Sequence, residues 1–331
     1  MERKGRVKAE LLQSVVEVAT NVAGTVGEAL EDLHDMRVRL RQAAAERDSL
    51  IAAAGTHPFS RYEHQEITER PRYVALVQEL RWLIVQQLIF GLHVHVGIES
   101  PHKAIACANA ARTFLPELLA LSTNSPFWEA RPTGLASTRI KVFDGLLRSG
   151  LPPAFSSFEE FELLVERGIK ANAFPDYTHI WWDIRPHPQL GTIEVRICDS
   201  QTRIENVAAI VALTQSLMAT FGEAFDRGER LPVEDVTLIE ENKWRASRDG
   251  LRADLIDLSN DTERPARDAI RALVDRCEPA ARRLGCADEL GKVNDVLARG
   301  SGAEEQAKVY EETDSLLAVV QWLAQETVRG I

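Results

Sequence analysis

Two histidines, His93 and His95, have the clearest potential for chemistry in this sequence. They lie two residues apart in the segment GLHVHVGIES (91–100), where valines stand between and after them. This alternation is typical of a β-strand, whose successive side chains point to opposite faces, so the two imidazoles share one face. Two imidazoles at this spacing can converge on a metal ion. The alternative is a hydrogen-bonded pair without a metal, and the sequence leaves both open.

A second pattern of charged residues lies in THIWWDIRPHPQLGTIEVRICDS (178–200). Two runs rich in aromatic and β-branched residues flank PHPQLG, which predicts a β-hairpin. The alternation places Glu194 and Arg196 on one face of the second strand, and Asp183 and Arg185 on one face of the first. A solvated sheet face with cross-strand ion pairs is the alternative. The flanking aromatic residues favour partial burial, and buried charges are usually paired or bind a metal.

A pair of glutamates, Glu10 and Glu17, lies in the mostly apolar segment ELLQSVVEVAT. We predict a helix over about residues 8–54, and a spacing of seven residues would place both carboxylates on nearly the same stripe of it. A solvated edge of an amphipathic helix is the alternative. With His93 and Glu194, these glutamates form an oxygen-rich set that suits Mg²⁺ or Mn²⁺ holding phosphates. Arg139, Arg185 and Arg196 could bind phosphate or carboxylate.

The remaining pattern predicts an α+β fold. Pro101 begins a helix that Pro116 splits, residues 131–155 resemble a loop, and Ser156 or Ser157 caps a further helix. Everything after Thr202 is predicted to be helical. We therefore expect one domain over residues 1–331, in which a small sheet is surrounded by many helices.

Composition limits the classes of partner. The 331 residues carry a net charge of -11, which disfavours nucleic acid. The four cysteines include no CxxC pair, so we expect reduced thiols in a cytoplasmic protein. We find no signal peptide and no run near the ~18 apolar residues that a membrane helix needs. The sequence has neither a GxxxxGK[ST] nor a GxGxxG loop, so any nucleotide is bound without them.

Six segments together resemble the bacterial glutamate–cysteine ligase type 2 family of ATP-dependent carboxylate–amine ligases. They follow the family's order and cover the chain from about Glu10 to its end: ELLQSVVEVAT, GTHPF, GLHVHVG, ASTRIKVFD, WWDIRPHPQLGTIEVRICD and ENKWRASRDGL. The resemblance implies a glutamine-synthetase-like antiparallel sheet forming an open funnel. It also implies that ATP phosphorylates the glutamate side chain and that the amine of cysteine attacks the acyl phosphate, giving γ-glutamylcysteine, ADP and phosphate.

The resemblance also implies roles for individual residues. Glu17, His93 and Glu194, with Glu10, match metal-binding positions for Mg²⁺ or Mn²⁺. Arg196 would contact phosphate, and Arg139 and Arg185 a carboxylate or phosphate. The remaining candidates for binding ATP or substrate are His95, Asp183, Asn242 and Arg245. The expected partners are small molecules, namely glutamate and cysteine or another amine, with a homodimer as an open alternative to a monomer.

One departure from the family bears on activity, and two further hypotheses stay open beside the ligase. Members usually begin with a strand of the form G-I-E-x-E, which this sequence does not contain. We therefore expect a chain that folds, with an exposed or covered sheet edge, but that binds Mg²⁺ weakly and is a poor ligase. A degenerate ligase that binds nucleotide without turnover is the second hypothesis. A zinc hydrolase that adds His179 and His187 to the histidine strand is the third.

Overall fold

A computed structural model describes residues 7–331 of the chain. Its strands are β1 (Val7–Ala9), β2 (Val16–Val18), β3 (Val94–Gly97), β4 (Phe127–Trp128), β5 (Arg131–Pro132), β6 (Ser149–Gly150), β7 (Trp181–Trp182), β8 (Ile184–His187), β9 (Thr192–Val195), β10 (Asp254–Asp257) and β11 (Thr262–Pro265). Its helices are α1 (Val26–Ala45), α2 (Pro71–Leu80), α3 (Trp82–Val85), α4 (Pro101–Ala111), α5 (Leu115–Ser122), α6 (Thr138–Phe143), α7 (Phe158–Lys170), α8 (Ile204–Asp226), α9 (Val236–Asp249), α10 (Ala266–Leu284), α11 (Ala287–Arg299), α12 (Gly302–Thr313) and α13 (Leu316–Thr327).

The central sheet is antiparallel, in the order β3–β9–β8, and the predicted hairpin forms its second half. Val94, Ile184, Ile193 and Val195 lie on the face that packs into the core with α4 and α8. The opposite face carries the charged residues. Helices surround this small sheet, so the predicted α+β class is confirmed.

The N-terminal prediction was wrong, because Glu10 and Glu17 do not lie on a helix. β1 and β2 form an antiparallel hairpin in which Lys8 faces Glu17. The segment is rich in β-branched valines, and these residues favour a paired strand over a helix. The first helix begins only at Val26, after Thr25 as N-cap. The expected covering of a sheet edge by residues near Met1 falls on residues 1–6, which lie outside the described residues.

Two other predictions need correction. α6 lies within the segment expected to be a loop, and Ser137 caps it. The β10–β11 hairpin interrupts the part expected to be entirely helical. A turn rich in Ser, Asn and Asp joins these two strands, and such residues favour turns over helices. The cap of α7 was predicted correctly, because Ser157 accepts a hydrogen bond from the backbone of Glu160.

Two long helical segments form the apolar centre of the fold. Residues Pro101–Ser122 and Ile204–Asp226 are long and apolar enough to span a membrane by length and composition, contrary to the expectation that no such run exists. In each segment 72% of the apolar window is buried inside the structure, as in the core helices of globular proteins.

The four cysteines are free and buried. Burial raises the pKa of Cys107 to about 12, which keeps this thiol protonated.

Glu117 on α5 carries a buried carboxyl group, which provides a test of how the core helices pack. Burial raises the pKa of Glu117 from 4.5 to about 7, and its Oε2 atom has no hydrogen-bond partner among residues 7–331. The folded chain therefore holds this proton more tightly than the unfolded chain. The associated stability is complete below about pH 4.5 and is lost as the pH rises through about 7.

We expect Glu117→Gln to remove this dependence. Relative to the wild type, the variant should gain up to roughly 3 kcal/mol in the free energy of unfolding between about pH 5 and pH 8. Urea unfolding across this range measures the difference. Glu311→Gln, at an exposed position on α12, is the control. A Glu117→Gln effect that is the same at both ends of the range would contradict the burial of this charge.

Candidate active site

The centre of the charged face is the carboxylate of Glu194. It lies on β9, directly between His95 on β3 and Arg185 on β8. Its Oε2 atom accepts a hydrogen bond from Arg185 Nε at 2.7 Å, and its Oε1 atom accepts one from Arg196 Nη1 at 2.5 Å. The side chain of Glu194 is only 3% exposed. Two guanidinium groups therefore bind one buried carboxylate from the two sides.

This pairing keeps Glu194 ionised. Burial alone would raise the pKa of the carboxyl, but the Arg196 and Arg185 guanidiniums outweigh burial and hold it well below its usual 4.5. The two arginines are not equivalent. Arg185 also donates to the backbone carbonyls of Thr178 and Ile180. The Nε atom of Arg196 is buried and has no hydrogen-bond partner in the described part of the chain.

The two strand histidines do share this face. His93 Nδ1 lies 3.6 Å from Glu194 Oε1, and His95 Nε2 lies 3.7 Å from the same oxygen. Their side chains are 38% and 35% exposed, so the imidazoles lie between the buried charges and solvent. Burial, reinforced by Arg196, lowers the pKa of His93 well below 6.5. A neutral His93 can accept the hydrogen bond that Arg196 Nη1 offers at 3.4 Å.

Glu10 and Glu17 form a separate carboxylate pair on the β1–β2 hairpin. Burial raises the pKa of Glu17, the nearby Lys8 opposes this, and Glu10 raises it further by its charge and by a shared hydrogen bond. Arg196 lies close enough to lower it slightly. Two carboxyl groups this close repel each other when both are charged, and they form the kind of oxygen-rich site that a divalent cation neutralises. This pair therefore fits Mg²⁺ or Mn²⁺.

The four predicted metal ligands divide into two pairs rather than converging on one centre. Among residues 7–331, no three His, Cys, Asp or Glu side chains are grouped closely enough to hold a metal ion. Both oxygens of Glu194 are already bonded to arginines, and Glu17 is paired with Lys8 at 3.8 Å. Because no such group of three ligands is found among residues 7–331, the zinc site of the hydrolase hypothesis is not formed there either. His187 meets His95 edge to face, with 5.5 Å between ring centroids, whereas His179 is paired with Asp176.

Arg139 supports the site instead of lining it. It lies on α6, is 2% exposed, and donates to the backbone carbonyls of Ile197 and Arg196 at 3.0 Å each. Its Nη1 atom also lies 3.7 Å from Asp199. Because its amino groups are engaged with the backbone that carries Arg196, Arg139 is a positioning residue in this structure. Its Nε atom is buried and has no hydrogen-bond partner in the described part of the chain, so a contact of Arg139 with a substrate carboxylate or phosphate stays a prediction.

Asp183 is buried and paired with a lysine. Its Oδ2 atom lies 2.7 Å from Lys243 Nζ, and the same ammonium donates to Asp144 Oδ1 at 2.8 Å. Asp183 and Lys243 are 0% and 1% exposed. Lys243 and Asp144 were not among the residues predicted from the sequence. The available signal was a lysine on the face of α9 that also carries the buried Ile239 and Ala246.

The two predicted site residues on α9 have structural roles. The side-chain amide of Asn242 donates to the carbonyl of Ile256 at 2.8 Å and accepts from the Ile256 N–H at 2.6 Å, so it holds β10 in place. Arg245 is bonded to Glu241, Glu263 and the backbone of Asp254. Helix spacing alone could not show that a hairpin, rather than a ligand, occupies these groups.

The Lys243 cluster predicts a large cost of removing one partner. Lys243→Met leaves the carboxylates of Asp183 and Asp144 close together, with the buried Asp183 lacking its cation, and should lower the free energy of unfolding by about 3–5 kcal/mol. Urea unfolding measures this cost. Lys308→Met, at an exposed lysine on α12, is the control and should change stability by less than about 0.5 kcal/mol. Equal effects of the two substitutions would contradict the role of Lys243.

Comparisons with known proteins identify the family of the chain. The model of the family "Glutamate-cysteine ligase family 2 (GCS2)" matches residues 1–321. A protein of Rubrobacter xylanophilus named "Putative glutamate--cysteine ligase 2-1" is 44% identical over 97% of this chain and 85% of its own. One of Solibacter usitatus named "Putative glutamate--cysteine ligase 2" is 41% identical over 98% of this chain and 85% of its own.

Solved structures share the fold at low sequence identity. A glutamate–cysteine ligase of Francisella tularensis, in complex with AMP, superposes with a TM-score of 0.70 at 12% identity and covers 98% of this chain and 82% of its own. A bifunctional glutathione synthetase of Pasteurella multocida gives 0.68 at 14% identity, over 98% of this chain and 48% of its own. The extent of the family match and the identity to the relatives establish that the chain belongs to glutamate–cysteine ligase family 2.

Proposed function

We propose that the chain is an ATP-dependent carbon–nitrogen ligase that joins the side-chain carboxylate of glutamate to an amine, nominally that of cysteine. Family membership and the names of the relatives support this reaction class. The AMP complex of the Francisella tularensis enzyme supports a nucleotide substrate. The single observation that carries the proposal is the buried carboxylate of Glu194 between Arg185 and Arg196, bordered by two imidazoles at the solvent side.

The reaction brings together anions that repel each other. An oxygen of the glutamate side chain attacks the γ-phosphorus of ATP, and ADP leaves. The amine nitrogen then attacks the acyl carbon, the bond between that carbon and the phosphate oxygen breaks, and the amine loses a proton. Fixed cationic donors in a site with little water stabilise the charge that develops on the transferred phosphoryl group.

Arg196 is best placed to act on that charge. Glu194 and His93 engage its Nη1 atom, while its Nε atom remains an unused buried donor among the described residues. A phosphate oxygen that reaches this group would satisfy the donor and form a charge-assisted hydrogen bond. Neutral imidazoles at His93 and His95 would not repel an incoming ammonium group.

Glu10 and Glu17 would hold the divalent cation, which when bound neutralises phosphate charge. Buried free thiols and a cytosolic pool of ATP support a cytoplasmic location. Glutamate and cysteine remain the proposed substrates, and the acyl phosphate the proposed intermediate.

Substitution of the two arginines separates catalysis from stability. Arg196→Lys keeps a charge but loses Nε and the planar fork, so we expect kcat/KM for ADP release to fall roughly 10- to 100-fold. Arg196→Ala should lower it further. The matched control is Arg185→Lys, which should mainly lower the urea midpoint, because Arg185 also holds the carbonyls of Thr178 and Ile180.

The assay measures ADP release with glutamate, cysteine and Mg²⁺, on variants shown to be folded by urea unfolding. If Arg196→Lys and Arg196→Ala both retained the wild-type rate, Arg196 would be only an ion-pair partner. Nucleotide binding without ADP release in the wild type would instead support the degenerate ligase.

A further inference from the structure

Gly91 lies on the charged face of the sheet, two residues before His93. It precedes β3 but continues the pairing of that strand. Gly91 forms an isolated antiparallel bridge with Asp199, and the Leu92 N–H donates to the carbonyl of Cys198 at 3.0 Å. Side chains alternate along a strand, so a side chain at position 91 would point to the same face as His93.

The Arg139 guanidinium fills the space that a side chain at position 91 would need. A Cβ atom placed on the backbone of Gly91 would lie 2.3 Å from Arg139 Nη2, 2.9 Å from its Cζ and 3.1 Å from its Nε. Non-bonded carbon atoms in contact normally lie about 3.5–4.0 Å apart. Glycine is therefore the residue that allows this close approach, and any other residue requires Arg139 or the strand to move.

Arg139 is not free to move aside, although an arginine side chain is flexible in solvent. It is 2% exposed, and its Nη1 and Nη2 atoms donate to the carbonyls of Ile197 and Arg196 at 3.0 Å each. Its Nη1 atom also lies 3.7 Å from the fully buried carboxylate of Asp199. Removing the guanidinium from these partners would leave buried charges without their contacts, which is costly.

A displacement of Arg139 would reach Arg196 by two routes. The first is the hydrogen bond from Arg139 Nη2 to the backbone carbonyl of Arg196. The second is the ring of Phe143, because both guanidiniums lie over it, with Cζ atoms 5.6 Å and 5.9 Å from its centroid. The position of Arg139 therefore influences where the Arg196 guanidinium points.

We propose that Gly91 is a positioning residue of the ligase reaction. Its lack of a side chain admits the Arg139 guanidinium to the carbonyls that follow β9, and this contact sets the direction in which Arg196 meets the transferred phosphoryl group. Gly91 itself contacts no substrate and acts through Arg139. The catalytic consequence rests on the proposed function, whereas the contact between Gly91 and Arg139 does not.

The first test compares Gly91→Ala with Gly97→Ala. Gly97 is the matched control, because it is an exposed glycine on the same strand and no atom lies within 4 Å of a Cβ atom placed there. In the ADP-release assay, Gly91→Ala should lower kcat roughly 10- to 100-fold, as expected for a misplaced catalytic group. The KM for ATP should change less than about threefold, because the lost interaction forms mainly in the transition state. Gly97→Ala should keep the wild-type kcat, and a wild-type kcat in Gly91→Ala would overturn the proposal.

The second test combines Gly91→Ala with Arg139→Met. Methionine lacks Nη2 and Cζ, the two atoms nearest to the added methyl group. In the wild-type background, Gly91→Ala should lower the urea midpoint. In the Arg139→Met background it should leave the midpoint unchanged and lower kcat by less than about twofold, since the two residues act through one contact. Additive effects of the two substitutions would overturn the proposal.

The urea midpoints separate the contact from the reaction. If Gly91→Ala alone did not fold, the double variant should fold, and failure of both to fold would overturn the contact. Absence of ADP release in the wild type would contradict the ligase function and the role of Gly91 in it, while the urea midpoints would still decide whether Gly91 positions Arg139.

Discussion

The buried ion pairs of Glu194 with Arg185 and Arg196 are the interaction on which the rest of the site depends. A carboxylate at this depth is costly unless both oxygens are paired, and here each oxygen accepts from a different guanidinium. The pairing also fixes strand register. A slip of one residue would turn Glu194 toward the core face, where Ile193 and Val195 are fully buried, and would turn those residues toward the charged face.

Two sets of contacts hold Glu194 and its arginines in place. One set lies on the segment that follows β9, and the other lies at the start of β8. Beyond β9, Asp199 accepts hydrogen bonds from Asn124, Ser125 and Ser137, and Arg139 binds the carbonyls next to Arg196. At the start of β8, Lys243 joins Asp183 to Asp144 and so connects the sheet to α9 and α6. Several charged residues of the family's motifs therefore act by positioning. Among the described residues, Arg139 and Arg196 each retain a buried Nε donor that has no hydrogen-bond partner.

The sequence predicted the parts of the fold that depend on local periodicity. Alternation along β3, β8 and β9 correctly placed His93, His95, Arg185, Glu194 and Arg196 on one face, and the cap at Ser157 was found from its local motif. The N-terminal hairpin was missed because the spacing of its valines is compatible with either a helix or a strand. Only the pairing of β1 with β2 distinguishes the two. The resemblance predicts substrate or ATP binding by Asn242, Arg245, Asp183 and Arg139. Their protein partners could not be predicted from local patterns, because these lie elsewhere in the sequence: Ile256, Glu263, Lys243 and Ile197.

The most direct test of the central claim follows an oxygen atom. Glutamate labelled with oxygen-18 in its side-chain carboxylate is incubated with the chain, ATP, Mg²⁺ and cysteine, and the released phosphate is analysed by mass spectrometry. The account predicts one labelled oxygen in each phosphate formed with product, because the oxygen that attacks phosphorus leaves with it. Product accompanied by unlabelled phosphate would contradict the acyl-phosphate route, and hydrolysis of ATP without any amide product would contradict the ligase itself.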